Sequence, residues 1–143
     1  MTASQQHDLV GVLPVDPAGT QVLLARDPDV GRWGVVSAHL EERERPLSAV
    51  VRTLRDGTGL VPLRTLEPHL AVLQDVYTCP GGSKPVRHVE HVFAVVADPQ
   101  APLGGDQPHQ LGWFPVRALP EPLVPGLHLQ VRAALRLLDA QQH

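Results

Sequence analysis

The sequence predicts an α+β fold, an α/β/α sandwich with a mixed β-sheet held between helices. The first observation behind this is the order of segments: strands, one helix, further strands and a closing helix. Such an order buries a sheet between helical layers. The second is size. At 143 residues, 43% of them apolar, the chain has the length of one domain, and a domain of that length buries about 68% of its unfolded surface. The third is composition. Only 3% of residues are aromatic, so Val, Leu and Ala must build the core, and fifteen prolines and twelve glycines call for many turns between short elements.

Leu9 to Val15 is apolar enough for a buried strand, and Asp16-Pro17-Ala18-Gly19 supplies the turn to its hairpin partner, Gln21 to Arg26. Pro28 and Gly31 break the chain between Asp27 and Arg32. Trp33 to Val36 reads as a short strand, and His39 to Arg45 as a polar, acidic loop. Pro46 suits the first turn of a helix, where its missing N–H costs little. Behind it Leu47, Val50, Val51 and Leu54 recur at helical spacing, and Gly57 and Gly59 are expected to end the helix.

His69 to Tyr77 reads as a strand, Thr78 to Pro85 as a loop or hairpin tip, and Val86 to Ala97 as the strongest strand. Asp98 to Gln110 is a Pro/Gly-rich loop of a length unusual without a function. Leu111 to Val116 is a short strand. Leu127 to Gln141 is an amphipathic helix with Val131, Leu135 and Leu138 on one face. No repeat or linker divides residues 1–143, and residues 1–8 are expected to be flexible.

Net charge is −3 with no block of like charges, so neither nucleic acid nor a membrane surface is an expected partner. Cys79 is the only cysteine, which rules out an intramolecular disulfide. It has no evident basic neighbour in sequence to activate it. The polar segment Met1 to Asp8 has no apolar signal core, and no run nears the roughly 18 apolar residues of a membrane span. A cytoplasmic protein with a small-molecule ligand is expected. His7, His69, His109, His128 and His143 show no metal-ligand spacing and read as surface residues.

Trp33 to Leu60 resembles the Nudix box: Gly, five residues, Glu, seven residues, Arg-Glu, an apolar residue, any residue, Glu-Glu, any residue, Gly, an apolar residue. Gly59 and Leu60 match its end, and Leu54, Arg52 and Glu44 match the positions before it. His39-Leu40-Glu41 matches the segment that commonly follows the opening glycine. The flanks resemble the family too, in the hairpin from Val10 to Arg26, in Trp33, and in Gly112-Trp113-Phe114-Pro115 before Leu119-Pro120. The departures are equally specific. Ala38 replaces the opening glycine, Val36-Ser37 the preceding Pro-Gly, Thr53 the glutamate after the arginine, and Asp56-Gly57 the Glu-Glu pair.

The resemblance implies a Nudix-type sandwich and a divalent cofactor, Mg2+ or Mn2+, held in intact boxes by glutamates sharing one helix face. Here one carboxylate remains of three, so Asp56, with Glu44, is the candidate metal ligand and hydrolysis should be weakened or lost. The family's pattern assigns Glu44 and Arg52 to tying loop to helix, with the arginine also orienting catalytic glutamates, so both are candidate catalytic residues, and ligand contact is the alternative for Arg52. Glu41 and His39 in the same loop are candidate substrate-binding residues, against a solvated acidic loop. In a strand His88 and Glu90 share one face, and the family places this strand beside the substrate cleft. That pair could transfer protons near neutral pH, against a partly exposed pair at a strand start. A homodimer would be usual for the family.

Three functions follow. The first is a divergent hydrolase acting on a nucleoside-diphosphate-type or other diphosphate compound. The second is a scaffold redirected to metal-independent isomerisation or cyclisation, using His88, Glu90, Glu44 or Asp56 as acid and base. The third is a non-catalytic ligand-binding module.

Overall fold

The computed structural model describes residues 6–79, 81–105 and 110–142. His109, His143, Pro80 and residues 1–5 lie outside them. The strands are β1 (Gln6–Val15), β2 (Gln21–Arg26), β3 (Trp33–Gly34), β4 (Val36–His39), β5 (Arg64–Thr78), β6 (Pro85–Val96) and β7 (Gln110–Pro115). The helices are α1 (Pro46–Thr58) and α2 (Leu127–Gln142). The strands form one mixed sheet in the order β3-β2-β1-β6-β5, with β4 also paired to β1 and β7 to β2. β1 and β6 run parallel at its centre, in register from Gln6 opposite Arg87 to Val15 opposite Val96.

Side-chain alternation along these two central strands sorts the core into two layers. Val10, Val12, Phe93 and Val95 face Ala49, Val50 and Leu54 of α1. On the other side, Leu13, Val15, Ala94 and Val96 face Leu127, Val131, Ala134 and Leu138 of α2. The sheet therefore separates the two helices, as the segment order predicts. Leu135 packs at the edge of the second layer. At the β1–β2 turn, buried Asp16 accepts hydrogen bonds from Thr20 N, Thr20 Oγ1 and Gln21 N at 2.7, 2.7 and 2.9 Å.

Three element expectations are corrected. β1 begins at Gln6 because its first residues pair with β6, so residues 6–8 are strand rather than flexible tail. β5 begins at Arg64, ahead of His69, and carries a register shift between Leu66 and Ala71. The third concerns α1. Gly57 does not end this helix; Gly59 does, at φ 79 with its N–H on Arg55 O at 2.8 Å, in the left-handed conformation that suits glycine. The buried stripe is Ala49, Val50, Thr53, Leu54 and Gly57, while Leu47 and Val51 are 45% exposed. Small residues at 49, 53 and 57 let α1 lie close to β4, and a Cβ at Gly57 would overlap Val36 Cγ1.

Candidate functional site

The box region keeps its loop-to-helix tie. Arg52 donates from Nε and Nη2 to the two Glu44 oxygens at 3.2 and 2.5 Å, and from Nη2 to His39 O at 3.3 Å. Glu44 also accepts the Glu41 N–H at 2.9 Å. The Arg52 hydrogen bond, then that N–H, hold the Glu44 carboxyl below its usual range. Glu41 lies 3.9 Å from Arg52 Nε.

The three positions that carry glutamates in an intact box do not fit a metal. Thr53 is buried, and its hydroxyl has no hydrogen-bond partner among the described residues. Gly57 is packed on Val36, and the loop after β6 closes over both neighbours. Gly104 N donates to Thr58 O at 2.8 Å, and a Cβ at Gly105 would lie 2.8 Å from Asp56 O. Covering this end of α1 is the work of the long 98–110 segment as far as residue 105. Asp56 alone keeps a carboxylate, 3.6 Å from Arg55 Nε. One carboxylate on this face falls short of the several oxygen ligands that Mg2+ or Mn2+ takes.

A second region lies on the sheet face that α2 covers further along. Glu90 of β6 sits opposite Leu9 of β1, and Ser37 Oγ donates to its Oε2 at 3.0 Å. Gly11 is required here, because a Cβ would stand 2.8 Å from Glu90 Oε1 and 2.9 Å from Val35 Cγ2. Burial pushes the Glu90 carboxyl above its usual range, and the Ser37 hydrogen bond only partly opposes this. Around it is a cleft of about 540 Å³ lined by Leu9, Val30, Val35, Tyr77, Val124 and Pro125, with Asp27, Arg32 and Asp75 among its charged residues. An adjoining lobe of about 400 Å³ reaches His88.

His88 and Glu90 therefore share one face and one cleft, as alternation predicts, although His88 is buried at 3% exposure rather than partly exposed. Glu44, Arg52 and Asp56 do not line that cleft, and α1 packs on the opposite sheet face. His39 and Glu41 line a separate pocket of about 430 Å³ with His7, Glu42 and Glu44.

Two sequence expectations fail here. Cys79 does have basic neighbours, with Sγ 3.0 Å from His88 Nε2 and 3.5 Å from His7 Nδ1. His7 is not a solitary surface residue; its ring meets those of His39 and His88, each at a centroid distance of 5.2 Å. Burial, then the neighbouring His7 and His88, push the His39 imidazole below its ordinary value. The four residues come from separate segments. Only the placement of Cys79 and His88 on either side of the Gly81-Gly82 turn gives a sequence signal for any of these contacts.

This sheet between two helices, with a loop tied to a helix by Glu44 and Arg52, is the architecture of the Nudix superfamily. The family model described as the NUDIX domain matches residues 5–135, and the chain belongs to that family. Compared by sequence with curated proteins, it has no match. Among solved structures it is similar to a MutT NUDIX hydrolase from Burkholderia pseudomallei, with 24% identity and TM-score 0.67 over 90% of this chain and 98% of that one. It is also similar to a NUDIX-family hydrolase from Clostridium perfringens, with 15% identity and TM-score 0.71 over 94% and 97%. The E. coli ORF135 protein is a third, with 23% identity and TM-score 0.66 over 96% and 94%. At these identities the likeness establishes the fold.

Proposed function

We propose that this Nudix-family protein has lost metal-dependent diphosphate hydrolysis at its box helix and acts by acid–base chemistry on a small molecule bound beside Glu90. The observation that carries this reading is the Glu90 carboxyl itself, oriented by Ser37 Oγ at 3.0 Å and pushed by burial toward its protonated form. A carboxyl tuned upward holds its proton more readily than an ordinary one, and can donate it and take it back. An isomerisation or cyclisation driven by proton transfer can run on that cycle without a metal.

The cleft's charge supports a substrate other than a free diphosphate. Asp27 and Asp75 line it against the single guanidinium of Arg32, so an added anion would meet net repulsion even with Glu90 protonated. An apolar body with a neutral or weakly basic polar group suits the aliphatic lining better. In this reading His88 borders the site, while Glu44 and Arg52 hold the loop before α1 and carry no proton-transfer role.

The test is a panel of candidate small molecules assayed with and without EDTA. Turnover is expected to persist in EDTA and to fall by about 10²–10⁴-fold in Glu90→Gln, the usual contribution of a positioned acid or base. Phosphate release from diphosphate-linked nucleosides that depends on Mg2+ or Mn2+ would refute the proposal. It would favour the second reading, a residual hydrolase using the acidic pocket beside Glu41, Glu42 and Glu44.

A further inference from the structure

Three imidazoles and the only thiol converge at one end of the sheet. His7 and His88 are direct register partners on the parallel β1–β6 pair. His39 ends β4, beside β1, and Cys79 follows β5. One ligand atom from each of the four lies within 4.8 Å of the others. The Cys79 Sγ contacts at 3.0 Å to His88 and 3.5 Å to His7 are already close to the edges of a coordination tetrahedron. With Zn–N near 2.05 Å and Zn–S near 2.3 Å, the nitrogen–nitrogen and nitrogen–sulfur edges are about 3.3–3.6 Å. Small side-chain movements of His7 and His39, both at the rim, would close the remainder.

The setting favours a cation over mere polar packing. His88 is 3% exposed, and its ring is held flat against Tyr77 at 3.6 Å with 5° between planes. Its Nε2 faces the thiol, and its Nδ1 has no hydrogen-bond partner among the described residues. His88 Nε2, Cys79 Sγ and one nitrogen from each of the two further imidazoles bring four potential ligand atoms to one point, with no carboxylate in the group.

We propose that His7, His39, Cys79 and His88 form a four-coordinate site for Zn2+. Three nitrogens and one sulfur are the ligand set of a borderline-soft ion with tetrahedral preference, and four protein ligands make the site structural rather than catalytic. On binding, Cys79 would lose its thiol proton to solvent and bind as thiolate. The ion would then pin the start of β1 to the end of β4 and to the β5–β6 hairpin. The four ligands lie outside the box helix, whose Arg52 meets the backbone of His39, and the site does not depend on the chemistry proposed for Glu90.

The experiment is Co2+ titration of chelator-stripped, reduced protein, followed by displacement with Zn2+. Stoichiometric uptake is expected, with sulfur-to-cobalt charge transfer in the near ultraviolet and the intense visible bands of a four-coordinate ion. Zn2+ should erase both and raise the melting temperature. Cys79→Ala should abolish the charge-transfer band, and His7→Ala should weaken binding by at least about 100-fold, the upper range for loss of a mere supporting group. Both positions border the surface, and far-ultraviolet circular dichroism would verify their folding, whereas His88→Ala empties a buried position. Asp56→Asn should change nothing. The proposal is overturned if stoichiometric uptake fails, if the spectrum is that of a six-coordinate ion, if binding survives Cys79→Ala, or if Asp56→Asn removes it.

Discussion

Glu90 shows how a single side chain can be prepared by its neighbours. Gly11 leaves room for one carboxyl oxygen and Ser37 donates to the other, while the surrounding cleft raises the cost of the charge. A carboxyl whose pKa rises on folding binds its proton more tightly in the folded state than in the unfolded one. Folding stability is then greatest at low pH from this group, and is lost as pH climbs from the ordinary value of 4.5 toward the raised one. Glu90→Gln keeps the acceptor for Ser37 and removes the charge. It should therefore melt at a higher temperature than the parent at pH 7, with the difference vanishing below the ordinary carboxyl range. Calorimetry across pH reads this directly, and a variant less stable than the parent at neutral pH would contradict it. The pairing of His88 with Glu90 was legible from strand alternation alone. Ser37, Gly11 and His7 were not, because their proximity arises from pairings between β1, β4 and β6 that no local pattern encodes, while Cys79 meets His88 across the β5–β6 hairpin, whose Gly81-Gly82 turn the sequence does show.

At the scale of the element, α1 explains why the box changed as a set. Two of its three altered positions, Thr53 and Gly57, lie on the buried stripe. Val36 occupies the space a larger residue at 57 would need, and it stands where the family has proline. The face that carries glutamates in an intact box is here, at Thr53 and Gly57, a packing face. Gly57→Ala would ordinarily gain about 1 kcal/mol of helix propensity. Here it should instead destabilise by about 1–3 kcal/mol through overpacking. Val36→Ala removes the colliding methyl, so urea unfolding of the double variant should show less destabilisation than the sum of the two single changes. Simple additivity would mean that the two residues do not contend for space. The helix itself was legible from Pro46 and its apolar residues. Its true buried face was not, since Ala49, Thr53 and Gly57 carry little hydrophobic signal yet permit the closest approach.

Across the whole molecule, the sheet separates two regions that a linear reading places together. The Glu44–Arg52 tie and Asp56 belong to α1 on one face; the Glu90 cleft belongs to the other. Strand and helix order, with the matches at Glu44, Arg52, Leu54, Gly59 and Leu60, made the fold readable from sequence. Which acid faces which cavity depends on the side of the sheet each element covers, and only the assembled structure resolves that. The account stands most directly on the claim that the box helix no longer holds Mg2+. Two-dimensional 1H–15N spectra recorded during a Mg2+ titration test it at residue resolution. No saturable shift is expected at the amides of Thr53, Asp56 and Gly57, or along the loop at Glu41 and Glu44. A saturable set of shifts centred on those residues would contradict the account.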